Sequence, residues 1–143
     1  MKSYNFSMER VLGWRETLEK NSMEKFALLQ NELLHEKSIL TNLTKEYETL
    51  KEKGLKYINI NELVQLQLYK QNIEDKILHQ NVVILNLSNS LEEIRLELIS
   101  AQKDRKIMEK LKERDFSNYQ DDMRATEQKE LDEMAVLRFK RIL

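Results

Sequence analysis

Apolar residues recur along this chain at alternating intervals of three and four. Positions 26, 29, 33, 36, 40, 43, 47 and 50 read Phe, Leu, Leu, Glu, Leu, Leu, Tyr, Leu. One position, Glu36, breaks the stripe. Upstream, Leu18, Ser22 and Phe26 are spaced four and four, which is a local stutter. From 63 the repeat resumes and holds through 66, 70, 73, 77, 80, 84, 87, 91, 94, 98, 101, 105 and 108; only Lys70, Gln80 and Arg105 are not apolar. A heptad sustained this long predicts a coiled coil rather than two globular helices.

Start and stop signals divide the pattern in two. Ser7 is placed to cap a first helix, Glu9 favours the positive end of its dipole, and Phe6 and Val11 stand where a hydrophobic staple needs them. Gly13 weakens this start by about 1 kcal/mol relative to alanine. Gly54 reads as the glycine that follows a helix end. Asn59 reads as the next cap, with Glu62 three residues on as in a capping box and Ile58 placed to staple against Leu63. The expected fold class is therefore all-α. It is a long two-helix antiparallel coiled coil, a helical hairpin forming a single domain over 1–143. Helix 1 covers about 7–53, a turn 54–59, and helix 2 about 60–140.

A midpoint inside the turn sets a register in which partner numbers sum to roughly 113. Leu50 then meets Leu63, Tyr47 meets Leu66, Leu40 meets Ile73, Leu29 meets Ile84 and Phe26 meets Leu87. Glu36 faces Ile77 with Gln80 one layer on, a polar layer suited to fixing register. Arg105 falls near Met8 and Leu98 near Arg15. Beyond Met108 the heptad positions are Lys112, Asp115, Tyr119 and Asp122, and the chain from Lys103 is rich in charge. A loose stripe of Phe116, Tyr119, Met123, Leu131 and Met134 persists. This tail is expected to be a C-terminal helix overhanging the paired region by about 50 Å, and a docking element.

Composition narrows the function. Charged residues make up 34%, aromatics 7%, proline is absent, and there are two glycines. That mixture belongs to long solvated helices with i,i+4 ion pairs. The net charge of −1 gives no general pull toward nucleic acid or an anionic membrane. No cysteine is present, Met1 to Phe6 has no apolar signal core, and the longest apolar run, Val82 to Leu85, is far too short to span a bilayer. A soluble, cytoplasmic chain is expected. His35 and His79 stand alone and Gly13 and Gly54 are isolated, so neither a zinc site nor a phosphate-cradling loop is expected. No catalytic residues, cofactor or metal are predicted.

The candidate sites are interaction surfaces. On helix 2 the positions facing away from the seam are 68, 71, 75, 78, 82, 85, 89, 92, 96 and 99. Leu68, Leu78, Val82, Leu85, Leu96 and Ile99 among them are apolar. A two-stranded coil does not bury them, and exposed apolar surface marks an interface. A partner protein or a second hairpin fits. Near the turn, Tyr47, Tyr69, Ile73, Tyr57 and Ile58 cluster, either as end packing or as a recognition surface. Arg10, Trp14 and Arg15 raise the same alternatives near the N-terminus, and Phe116 and Tyr119 belong to the candidate docking tail.

Two segments carry a resemblance. FSMERVLGWRETLEK at the start, with Phe6, Glu9 to Leu12, Arg15 and Glu16, resembles the opening of the flagellar FliJ protein family. The late segment with Leu111 to Arg114, Tyr119 and Glu127 to Glu133 is similar to its C-terminal half. The resemblance implies a non-enzymatic component of the flagellar type III export apparatus. Such proteins resemble the central stalk of rotary ATPases and promote assembly of the hexameric export ATPase ring. They contact the cytoplasmic region of the export gate membrane protein and receive emptied export chaperones. It implies a cytoplasmic protein held at the membrane only through the apparatus. The stalk of a virulence-type secretion system and a generic coiled-coil scaffold are the alternatives.

Overall fold

The computed structural model describes residues 3–54, 56 and 59–142. They form two long helices, α1 over Glu9–Gly54 and α2 over Ile60–Ile142, and contain no strand. This all-helical layout is consistent with a helical hairpin. The chain divides into two compact units, one of Met1–Lys20 with Ser100–Leu143, the other of Asn21–Ile99, and each takes a part of both helices.

Helix α1 begins two residues after Ser7. Glu9 N–H donates to the Phe6 carbonyl at 3.2 Å, closing a turn, and Leu12 N–H donates to the Met8 carbonyl at 3.0 Å, the first helical bond. Met8 thus holds the cap position expected of Ser7, because its carbonyl accepts that first bond. The staple residues still pack: Phe6 and Leu12 are buried against Met108, with Tyr4 and Val11 alongside. At the start of α2, Asn59 caps as expected. Its Oδ1 accepts from Asn61 N–H at 3.1 Å and its carbonyl from Leu63 N–H at 3.1 Å. The expected staple of Ile58 on Leu63, and Tyr57 and Ile58 in the cluster near the turn, lie outside the described residues.

Gly54 ends α1, but not by a left-handed backbone, since no described glycine has positive φ. Its role is room: a Cβ there would stand 3.1 Å from Leu66 Cδ2. Gly13 has no such reason, because a Cβ would meet nothing within 4 Å.

Burial follows the heptads. On α1, all eight seam positions from Phe26 to Leu50 are buried or half-buried, as are Leu18 and Ser22. On α2 every seam position from Leu66 to Met108 is buried or half-buried; Leu63 alone is exposed. Leu63 lies one turn before Leu66, the residue that approaches Gly54 at the end of α1.

The pairing differs from the turn-anchored register. In the unit Asn21–Ile99, Gln80 Nε2 donates to the Glu36 carbonyl at 2.9 Å and also to the Glu36 carboxylate. Glu36 therefore meets Gln80 where Ile77 was expected, and Gly54 rather than Tyr47 approaches Leu66. In the other unit Arg15 reaches Asp104 at 3.1 Å rather than Leu98, and Arg105 pairs with Glu19 rather than lying near Met8. Partners stand about a turn or more further along α2 than expected. The helix ends Gly54 and Ile60 centre within a residue of the assumed midpoint, so the Glu36–Gln80 layer rather than the place of the turn marks the register.

Candidate partner-binding surfaces

In the unit Asn21–Ile99 the two tyrosines near the turn bond reciprocally across the helices. Tyr47 OH donates to Glu74 Oε1 at 2.7 Å, and Tyr69 OH donates to Glu46 Oε1 at 2.5 Å. Two ammonium groups lie near the Tyr47 ring, Lys51 Nζ 5.0 Å and Lys70 Nζ 5.5 Å from its centroid. Each hydrogen bond favours the protonated phenol. The Glu74 carboxylate raises the Tyr47 pKa above its ordinary value, and the Glu46 carboxylate does the same for Tyr69. Tyr69 is exposed and Tyr47 half-buried. Ile73, grouped with them as end packing or recognition surface, is 1% exposed and lies in the interior. Period alone put Tyr47 and Ile73 on the seam; the partners Glu46 and Glu74 carried no signal, since both look like ordinary solvated carboxylates.

The outward face of α2 in this unit is open. Leu68, Leu78, Val82, Leu85 and Leu96 are exposed and Ile99 is half-buried. A shallow groove of about 420 Å³ lies beside His79, between Ile39, Leu43 and Asp75. Among the described residues no group of three or more His, Cys, Asp or Glu side chains is placed to hold a metal ion.

In the unit Met1–Lys20 with Ser100–Leu143, the residues before α1 make a contact that periodicity does not reach. The Tyr4 ring packs edge-on against Phe116, 4.9 Å between centroids, and tilts against Tyr119 at 5.2 Å. Its OH donates to Asp115 Oδ2 at 3.1 Å and to the Lys112 carbonyl at 3.4 Å. Partial desolvation, then the Asp115 carboxylate, raise the Tyr4 pKa. Phe116 and Tyr119 thus hold the N-terminal segment. Tyr4 was missed because it lies outside any helix, where no period marks an inward position. Arg10 is exposed, and the Trp14 ring is exposed with the Arg15 guanidinium 4.8 Å from its centroid. Lys112 Nζ pairs with Glu9 at 2.9 Å, and Arg105 bonds both Glu19 and Glu109. From Asp121 to Ile142 every residue of α2 but Met123 is exposed.

A family model described as Flagellar FliJ protein matches residues 4–142. The chain belongs to the flagellar FliJ protein family. Membership implies involvement in the flagellar export apparatus and in protein transport, and the family is one of non-enzymatic structural and escort proteins. No curated protein and no solved structure matches the chain. No helix among the described residues is long and apolar enough to cross a membrane.

Proposed function

We propose that the chain is a cytoplasmic stalk and adaptor of flagellar type III export, working as one antiparallel coiled-coil domain. It binds the hexameric export ATPase ring and promotes its assembly. It also links that ring to the export gate and to export chaperones, and so associates with the membrane peripherally. Family membership across nearly the whole chain supports this reading. So does the run of cross-helix contacts, in which rising numbers on α1 meet falling numbers on α2: Glu36 with Gln80, Glu46 with Tyr69.

The observation that carries the ATPase assignment is the exposed end of α2. Residues 121–142 are exposed apart from Met123, and Leu131, Met134, Leu137 and Phe139 are exposed apolar side chains on them. A solvated helix of this length gains stability when a partner covers it. Arg10 and Trp14 belong to the same unit and are assigned to the same partner. The Tyr47 and Tyr69 surface is assigned to the gate and chaperones.

The test is ATP hydrolysis by the cognate export ATPase, titrated with this protein at several ATPase concentrations. Stimulation should be strongest at low ATPase and accompany a shift to hexamers; no stimulation and no complex would remove the ATPase assignment. Double alanine substitution at Tyr47 and Tyr69, with helicity checked by circular dichroism, should weaken gate or chaperone binding and spare the stimulation. Loss of both together would refute the division of surfaces.

A further inference from the structure

The last turns of α2 change sign. Over 127–133 the charged residues are Glu127, Lys129, Glu130, Asp132 and Glu133, mostly acidic; over 134–142 they are Arg138, Lys140 and Arg141, all basic. The basic stretch also holds Met134, Val136, Leu137, Phe139 and Ile142, each more than half exposed.

Elsewhere α2 neutralises its arginines along the helix, as Arg95 does with Glu92 and Arg105 with Glu109. Over 134–142 the sequence forbids this. The residues three and four before Arg138 are Ala135 and Met134; before Lys140 they are Leu137 and Val136; before Arg141 they are Arg138 and Leu137. Among the described residues none of the three bases has an ion pair. Bases in a last turn suit the helix dipole, but the dipole gives no reason for the exposed apolar side chains between them.

Successive side chains stand about 100° apart around a helix. Met134, Val136, Leu137, Phe139 and Ile142 therefore leave no side of it without an apolar group. A groove in a partner protein takes one face of a helix, through anchors three and four apart. It would also have to supply a fixed carboxylate for each base. A bilayer surface surrounds whatever sinks into its headgroup layer, and its anionic groups move to meet each base. Arginine and lysine stems can lie along the apolar surface there with their charges in water.

We propose that residues 134–142 dock on an anionic bilayer surface. Arg138, Lys140 and Arg141 meet lipid phosphates, while Leu137 and Phe139 sink toward the acyl chains. Asp132 and Glu133, which such a surface repels, mark where the contact stops. The segment lies on the membrane and does not cross it. This contact goes beyond the export assignment and does not rest on it. The ATPase is assigned to the same stretch, so the two contacts exclude one another.

Flotation of the full chain with lipid vesicles, in the absence of ATPase, tests it. Binding is expected to phosphatidylcholine vesicles that contain phosphatidylglycerol and not to phosphatidylcholine alone, and should weaken as salt rises. R138Q, K140Q and R141Q together should lower the partition coefficient about a hundredfold. L137S with F139S, which leaves the charge unchanged, should lower it about tenfold or more. All five side chains are exposed, so both variants should keep the parent circular dichroism spectrum. No binding to either vesicle would overturn the proposal, and the segment would then belong to an acidic protein surface. Equal binding to both vesicles would also overturn it, as would binding indifferent to either set of substitutions.

Discussion

The two glycines are opposite cases of one substitution. At Gly13 an added methyl group meets open space in a helix that is already formed, so G13A should raise stability by about 1 kcal/mol in urea denaturation. At Gly54 the same methyl group would press on Leu66, and G54A should gain less or lose stability. The sequence placed Gly54 at a helix end correctly but suggested the wrong cause, because an end glycine and a close-approach glycine look alike without the neighbouring helix. The Ser7 cap failed for a related reason: Ser7 lies one step outside the residue whose carbonyl takes the first helical bond. Asn59 succeeded because its side chain and carbonyl both bond where a cap requires. The tip tyrosines give a pH test. Their phenols are held above the ordinary value, so the folded chain keeps these protons after the unfolded chain has lost them. Their contribution to stability is whole below the ordinary phenol range and is lost as pH rises through the raised native values. Among the described tyrosines, ultraviolet titration should find three that ionise late, Tyr4 with this pair, and E74Q should return Tyr47 toward normal.

At the level of the helices, the inward stripe was legible and its alignment was not. Which residues face inward follows from a period of three and four, and from Leu66 to Met108 none departs from it. Register is different, since sliding one heptad past another preserves every apolar contact. What breaks that degeneracy is a polar layer, and Glu36 finds Gln80 through both its backbone and its side chain. Q80A should cost about 1–3 kcal/mol by leaving the Glu36 groups without their donor. Leucine at both positions should be neutral or stabilising in thermal melts, with looser register as the cost. The far end of α2 obeys other rules. Among the described residues, truncation after Gln120 removes only exposed ones, Met123 apart. It should therefore leave the melting temperature nearly unchanged while removing ATPase stimulation.

Taken across the whole chain, burial is thin. Among the described residues the buried class holds Phe6, Leu12, Leu33, Leu50, Ile73 and Met108, with Gln80 as its one polar member. I73A should cost about 2–5 kcal/mol, at the upper end if the helices cannot close on the gap. This distribution also has a mechanical meaning. Each layer of a seam is held by itself and its immediate neighbours, so helices pulled apart from one end give way layer by layer under a small load. Sliding one helix along the other strains every layer at once. A seam of this kind transmits a push or twist along its length far better than it resists being peeled open.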